Sequence, residues 1–527
     1  MNSPSKQKEE VSRISLVPEA ASVLREHAAV RDAAACRLPI ADRIVVAFVV
    51  AKGTYLDGIL KRDEVESSKV KKWRKTYDLS QLAKSAAASP VGFNIAGWNS
   101  SYTRQPLPAE DMREWVQTTV DRISALAPQD VLEIGCGAGL LLLRLAPACR
   151  HYVGTDFAPS VVARLKEQLA QREDLGAKVD VFERYADNFE GWAEDSFDAV
   201  IINSVAQYFP TQSYLERVLE NAIRVVKPGG HVFIGDNRNR ELHKALALSV
   251  EAFQSQPEVS AGELRQKITR RIQQEQELVV SPSYFVSLAA RYPKVSHVGI
   301  YLRRGARDNE MTRFRFDAIL AIGNAPELVR EISFRERPPA GWTLPEIRSV
   351  LTSSGAETAG FAHIGNRRVE RDVKLLTQLE NAPPEQTLAE LSREIDRDKA
   401  QAIHPEEMVG LATDMGLEVG WSWASCYPDG GYDAAFIRQV GEGNAFPKIK
   451  WPGPAPVNFV YYTNAPGEAA IREKLASELL THCRSKLPVE LTPSSCYLVD
   501  SLPPSGGGGV DCEALLAAAS GLGPTPR

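Results

Sequence analysis

The chain has 527 residues, room for several domains at the usual size of about 100–200 residues each. Its 44% apolar and 24% charged residues are ordinary globular composition, and a net charge of −5 without a long basic block argues against a nucleic-acid partner. Seven scattered cysteines with no C-x-x-C pair read as buried thiols of a reducing compartment, not as a disulfide framework or a zinc site, and no metal is expected.

The first residues, MNSPSKQKEE, are polar and carry no secretory core. The apolar run Ile44 to Ala51 is too short to span a bilayer, so a cytoplasmic protein without a membrane partner is expected. Helical spacing at Ala21, Leu24 and Ala28 precedes a β-branched strand, Ile44 to Val50. Residues 56–92 read as a charged helix and then a Ser/Ala-rich stretch. Phe93 to Thr103 gathers aromatic, amide and hydroxyl groups in one loop. It either turns with its aromatics in the core or covers a ligand on which Trp98 or Tyr102 stacks.

A helix over Ala109 to Leu126 leads into the central stretch. The strand Val131-Leu132 ends in Glu133-Ile134-Gly135-Cys136-Gly137-Ala138-Gly139, an apolar helix runs from Leu140 to Leu145, and a second strand, Tyr152 to Thr155, delivers Asp156 and Phe157. Strand, glycine turn, helix, strand and acid make a nucleotide-binding α/β unit, with its ligand at the carboxyl ends of the strands. The acid can accept both ribose hydroxyls. Dinucleotide sites read G-x-G-x-x-G and meet pyrophosphate at a helix N-terminus. Here Glu133 precedes a G-x-G-x-G turn; its carboxylate would repel pyrophosphate and suits a ligand carrying an ammonium and a sulfonium. That is the pattern of S-adenosylmethionine (SAM).

The alternation continues with a helix over Ser160 to Ala170 and a strand over Val179 to Tyr185. Asp187-Asn188 then either reads an adenine edge or forms an Asx turn. Phe197 to Ile202 is an apolar strand suited to the centre of a parallel sheet, and it ends in Asn203, Gln207 and Tyr208. A helix over Tyr214 to Val226 stops at Lys227-Pro228-Gly229-Gly230, and the strand His231 to Gly235 delivers Asp236 and Arg238. Residues 242–276 read as helical, and Ser296 to Tyr301 and Thr312 to Ile322 as a closing hairpin. The prediction is a seven-stranded α/β sheet with a helical insertion placed as a substrate lid. Gln207, Tyr208, Asp236, Arg238 and Glu310 are the candidate acceptor-facing residues, with Arg238 alternatively paired to Asp236 or Glu310. Residues 326–450 read as a small α/β accessory region and Lys448 to Asn458 as a Pro-rich linker. A helix, Ala469 to Leu487, and a strand, Ser494 to Val499, follow.

FNIAGWNSSYTRQPLPAEDMREWV, VLEIGCGAGLLLLRLAP, TDFAPS, NSVAQYFP, VVKPGGHVFIGD and MTRFRFDAIL together resemble the methyltransferase domains embedded in non-ribosomal peptide and polyketide synthetases. The resemblance covers residues 93–325 and implies a Rossmann-like class I SAM-dependent methyltransferase acting on a carrier-protein thioester, with other synthetase subunits as partners. By position, Glu133, Gly135, Gly137 and Gly139 would hold the methionine end of SAM, Asp156 the ribose, Asp187 and Asn188 the adenine side, and Asn203 the floor. Trp98, Tyr102 and Phe157 complete the expected cofactor set. Residues 13–51, from Arg13-Ile14-Ser15-Leu16, and residues 466–516 resemble the two ends of the small C-terminal subdomain of an adenylation domain. The expected domains are therefore 1–54 and 451–527, a split adenylation remnant, around the methyltransferase at 55–325 and the accessory region at 326–450. Gly509 stands where that family carries its lysine, which removes the charge that would stabilise adenylation. Relatives carry histidines where this chain has Ala247 and Asp308. Methyl transfer to oxygen needs a base, whereas a neutral amine needs mainly positioning, so N-methylation is favoured over O-methylation. Non-methyl chemistry on a carrier-bound residue, such as dehydration or amino-group migration, and a non-catalytic docking scaffold are the alternatives.

Overall fold

The computed structural model describes residues 14–38, 44–52, 70–78, 93–95, 97–323, 331–354, 357–397, 402–438, 448–453, 462–464, 466, 468–499, 502–503, 510–512 and 515. Two compact units emerge: residues 1–68, 269–276 and 466–527 form one, and residues 69–268 and 277–465 the other.

The first unit begins with β1 (Ser15–Leu16), the helix Pro18–Arg25, β2 (Val30–Arg37) and β3 (Val45–Ala51). The sequence pattern indicates only the helix and the last strand. Strand β2 escapes it because its run, Ala33 to Ala35, has no β propensity of its own. Those alanines are buried and β2 pairs antiparallel with both β1 and β3, so tertiary pairing decides the conformation.

The second unit is built on β4 (Asp130–Ile134), β5 (His151–Asp156), β6 (Val179–Glu183), β7 (Phe197–Asn203), β8 (Val226–Arg238), β9 (Val295–Leu302) and β10 (Arg315–Ile322). Their order is β6-β5-β4-β7-β8-β10-β9, with β10 antiparallel to both of its neighbours. This is the expected seven-stranded α/β sheet. Val200, Ile201 and Ile202 are wholly buried in its middle, each contributing about 1.5–3 kcal/mol by leaving water. The helix Gln212–Val225 stops before Lys227 as its sequence indicates, but β8 starts at once and carries Lys227 to Gly230 inside it, with a register shift opposite Phe197 and Ala199. Between β8 and β9 lie the helices His243–Gln254, Ala261–Gln273 and Pro282–Arg291, the last without a clear signal in the sequence. Strand β10 begins later than Thr312 because Asn309 caps a helical turn, Glu310–Arg313, accepting the N–H groups of Met311 and Thr312.

Strands β11 (Phe334–Arg335), β12 (Thr358–Ile364), β13 (Glu418–Ser422) and β14 (Tyr432–Ile437) form a four-stranded sheet in the order β11-β12-β14-β13. Its Phe361, Trp421 and Trp423 belong to the same apolar core as Ile300 and Leu302 of β9, and the Trp423 N–H donates to the Ile300 carbonyl at 3.3 Å. The accessory region thus packs as an extension of the large sheet.

The chain then re-enters the first unit through the helix Glu468–Lys486 and β15 (Ser495–Leu498), which lies parallel to β3. Leu475, Leu479 and Cys483 pack there on Leu24 and Val49. Cys36 and Cys512 form a disulfide, which corrects the expectation that every cysteine is a thiol. At a sequence separation of 476 no spacing signals that pair; only the closure of the first unit brings it together. Cys136, Cys149, Cys483 and Cys496 are buried thiols as expected. Arg13, residues 53–69 and Gly506 to Gly509, including the lysine-position glycine, lie outside the described residues. Among the described residues no helix is long and apolar enough to cross a membrane, and no cluster of His, Cys, Asp or Glu is arranged to hold a metal ion.

Candidate cofactor and acceptor site

The glycine turn after β4 folds back on β5: the N–H groups of Gly135 and Cys136 both donate to the Thr155 carbonyl, at 2.7 and 2.9 Å. Gly135, Gly137 and Gly139 have φ of +71°, +51° and +78°, a region that L side chains rarely adopt. The three differ in what surrounds them. A Cβ on Gly135 would lie 2.3 Å from Val205 Cγ2, and one on Gly139 2.7 Å from Leu165 Cδ1. At Gly137 it would meet only the Tyr77 hydroxyl, at 3.2 Å. Gly135 and Gly137 line the cavity, whereas Gly139 serves the packing of the helix behind the turn.

That cavity, of about 460 Å³, opens at the carboxyl ends of β4, β5 and β7. One wall carries Glu133, Asp156 and Asn203. Glu133 is buried and accepts from the Tyr152 hydroxyl at 2.9 Å; burial nevertheless pushes its carboxyl up to about 7. Asp156 accepts the Gly137 N–H at 3.0 Å and the Ala158 N–H at 2.9 Å, and burial pushes it up to about 6. Asn203 Oδ1 and Gln207 Oε1 are buried acceptors with no hydrogen-bond donor among the described residues. Such acceptors cost free energy until a ligand supplies a donor.

The helix over residues 70–78 closes one side of this cavity with Trp73 and Tyr77. Tyr77 lies 6.1 Å from the Phe157 ring, Phe157 lies 6.5 Å from Tyr185, and Arg74 donates to the Tyr185 hydroxyl at 2.9 Å. Burial pushes the Tyr77 hydroxyl well up, so it stays protonated. Neither aromatic is singled out by the sequence reading, although a Trp and a Tyr four positions apart in a lysine-rich helix were a usable signal. Trp98 lines the cavity as expected, 4.8 Å from the Trp115 ring.

Several expected cofactor residues lie elsewhere. Tyr102 faces the inserted helices, donating to Ser249 Oγ at 3.1 Å with its ring edge-on to Phe253. Asp187 accepts from the Tyr214 hydroxyl at 2.9 Å, and Asn188 Oδ1 accepts the Glu190 N–H at 3.0 Å, the Asx turn of the alternative reading. None of the three lines the cavity.

On the opposite wall stand Gln207, Tyr208 and Glu310, as the sequence suggests, together with Ser204, Glu277 and Arg315, which it does not. Tyr208 packs on Trp73 at 4.9 Å; it is 37% exposed and lines the cavity, yet the protein atoms crowded around it desolvate its hydroxyl and push it up to about 12. Glu310 accepts the Ser101 N–H at 2.8 Å and its hydroxyl at 3.0 Å. Asp236 is not in the wall but behind it. Wholly buried with φ +63°, it accepts from Trp115 Nε1 at 3.2 Å, from Arg315 at 2.7 Å and from the Ser204 hydroxyl, so it holds three wall residues in place. Arg238 also stands outside the wall and pairs with Glu277 at 2.9 Å rather than with Asp236 or Glu310. The sequence could not show either result: Asp236 meets Trp115, Ser204 and Arg315, and Arg238 meets Glu277, all of them distant along the chain.

Residues 132–232 match the methyltransferase domain family. Over 481 residues the chain is 34% identical to chondramide synthase cmdD of Chondromyces crocatus, covering 90% of this chain and 12% of that protein. Over 440 residues it is 30% identical to the nonribosomal peptide synthetase asqK of Emericella nidulans, covering 81% of this chain and 17% of that one. Among solved structures, the N-methyltransferase NodS from Bradyrhizobium japonicum, in complex with S-adenosyl-l-homocysteine, shares 16% identity at a TM-score of 0.28, over 47% of this chain and 100% of that one. The chain spans less than a fifth of the length of either synthetase.

Proposed function

We propose, from the premise that this chain carries a SAM-dependent methyltransferase domain of the kind built into nonribosomal peptide synthetases, that it methylates the amino group of an aminoacyl or peptidyl thioester held on a carrier protein. SAM fits the residues present. Two buried carboxylates, Glu133 and Asp156, favour a cationic ligand with hydroxyl donors, and Asn203 Oδ1 has no donor among the described residues. Glu133, Asp156, Asn203 and the turn at Gly135 and Gly137 would hold it, with Tyr77 and Phe157 against its rings. When bound, SAM supplies a methyl group made electrophilic by its sulfonium.

The observation that carries the nitrogen reading is the opposite wall. Gln207, Glu277 and Glu310 offer acceptors to an amine, Arg315 offers donors to a carbonyl, and no imidazole lines the cavity among the described residues. With its hydroxyl pushed up to about 12, Tyr208 is a donor at neutral pH and a poor base for a hydroxyl acceptor. Positioning a neutral amine is therefore the chemistry this wall supports best. The first unit is read as the remnant adenylation subdomain, with the carrier supplied by another part of the assembly line. Mass spectrometry of a loaded carrier protein tests the reading. A gain of one methylene unit only with SAM, placed on nitrogen by fragmentation, is expected. A product that has lost water, or an isomer formed without SAM, would refute it.

A further inference from the structure

The segment between β9 and β10, residues 303–314, carries Glu310 and Met311 into the cavity and leads directly into Arg315. It is gripped from outside the methyltransferase sheet. Arg368, which follows β12, has a wholly buried side chain. Its guanidinium donates to the Arg303 carbonyl at 2.7 Å, to the Gly305 carbonyl, and to the Thr312 carbonyl at 3.5 Å, spanning both ends of the segment. Asp308 lies 3.5 Å from the same guanidinium. The His404 Nδ1 accepts the Glu406 N–H at 3.2 Å, and its Nε2 stands between Asp308 at 3.0 Å and Arg368 Nε at 3.3 Å. Glu406 holds Arg304 through both carboxylate oxygens, at 3.1 and 3.0 Å, and accepts the Gly305 N–H at 2.9 Å. The Arg313 guanidinium donates to the Arg368 carbonyl at 2.8 Å and pairs with Asp372.

We infer that Arg368, with His404 and Glu406, is a positioning device that fixes Glu310, Met311 and Arg315 against the acceptor, and that the accessory region thereby sets acceptor affinity without touching the acceptor. A buried guanidinium bonded to carbonyls at two points of one loop leaves that loop little freedom to drift, and placement errors at a wall of reacting groups are expensive. Glu133 and Asp156 stand on other supports, the Tyr152 hydroxyl and the backbone of the turn and of Ala158, and no bond of the clamp reaches them. This rests on the proposed acceptor chemistry and adds to it the residues that enforce it.

Two readouts on the full chain test it. In Arg368→Lys, KM for the loaded carrier should rise about tenfold while S-adenosylhomocysteine affinity by calorimetry stays within about twofold. Adding Glu310→Gln should raise KM by clearly less than the product of the two single effects, since part of the Arg368 effect passes through that carboxylate. His404→Gln, which keeps the Arg368 bonds to the three carbonyls but loosens Asp308 and the cap on the helix that carries Glu406, should move KM the same way by less, and it stands in if the lysine variant fails to fold. Hydrogen exchange supplies the second readout: amides of 303–313 should exchange faster in the variants and those of 133–139 unchanged. Independent, multiplying effects of the two substitutions, a parallel loss of cofactor affinity, or equal acceleration of both segments would overturn the inference. A wild-type protein that forms no methylated product would instead refute the proposed function, and the exchange measurement would still decide the clamp.

Discussion

Replacing Gly135 by alanine separates the structural demands on the turn from the chemical ones. At φ +71° the change costs a non-glycine residue about 1–2 kcal/mol. The new Cβ would also stand 2.3 Å from Val205 Cγ2 and 3.3 Å from Cγ1, on a stiff β-branched side chain that cannot swing away. Overpacking of this kind adds about 1–3 kcal/mol, for a total loss of about 2–5 kcal/mol. Val205→Ala in the same chain should recover the steric part and leave the backbone part, so the pair should be less destabilised than the sum of the single changes. Urea unfolding of the four proteins gives the cycle, and titration with S-adenosylhomocysteine gives the functional consequence. Gly137→Ala is the control: its Cβ meets only the end of the Tyr77 side chain, so it should cost about 1–2 kcal/mol from φ alone and weaken ligand binding more than folding. The reasoning is refuted if Gly135→Ala unfolds within about 0.5 kcal/mol of wild type, or if Val205→Ala brings no relief.

The buried acids predict a pH dependence. Glu133 and Asp156 are raised from 4.5 to about 7 and from 3.8 to about 6, so their contribution to ligand-free stability is full below pH 3.8 and is lost as pH rises through 6 and 7; differential unfolding against Glu133→Gln should show this. Calorimetry should find SAM affinity climbing over the same interval, because a sulfonium prefers ionised carboxylates; a flat profile would contradict the assignment. Asp236→Asn should destabilise the protein by about 3–5 kcal/mol by leaving Arg315 buried beside a neutral group, whereas Tyr208→Phe should leave thermal stability nearly unchanged and lower turnover. Cys512→Ser should lower the melting temperature of the first unit by removing a cross-link worth about 2–5 kcal/mol, and leave S-adenosylhomocysteine binding intact, since every cavity residue belongs to the second unit.

The amino-acid sequence by itself determined the large sheet and one wall of its cavity. A buried parallel strand must be apolar along its whole length, and a turn at left-handed φ next to a packed side chain must be glycine. The runs at Val131, Tyr152 and Phe197 and the turn glycines 135, 137 and 139 are therefore legible without coordinates, although only the structure shows that Gly139 packs the helix behind the turn instead of lining the cavity. Glu133 and Asp156 are legible for the same local reason: each ends a strand whose direction is fixed. What only the tertiary structure decided is everything that depends on partners far along the chain. Asp236 and Glu310 look alike as acids at loop ends, yet one is enclosed by Trp115, Ser204 and Arg315 while the other faces the cavity. Strand β2 takes its conformation from neighbours on both sides, and the Cys36–Cys512 bond joins segments that no spacing links. Arg368 reads as one more charge in a polar stretch until folding buries it against the carbonyls of Arg303, Gly305 and Thr312. Local patterns record the period of a strand and the φ of a turn, but a side chain's use is set by which desolvated groups meet it, and those meetings exist only once the chain is closed on itself.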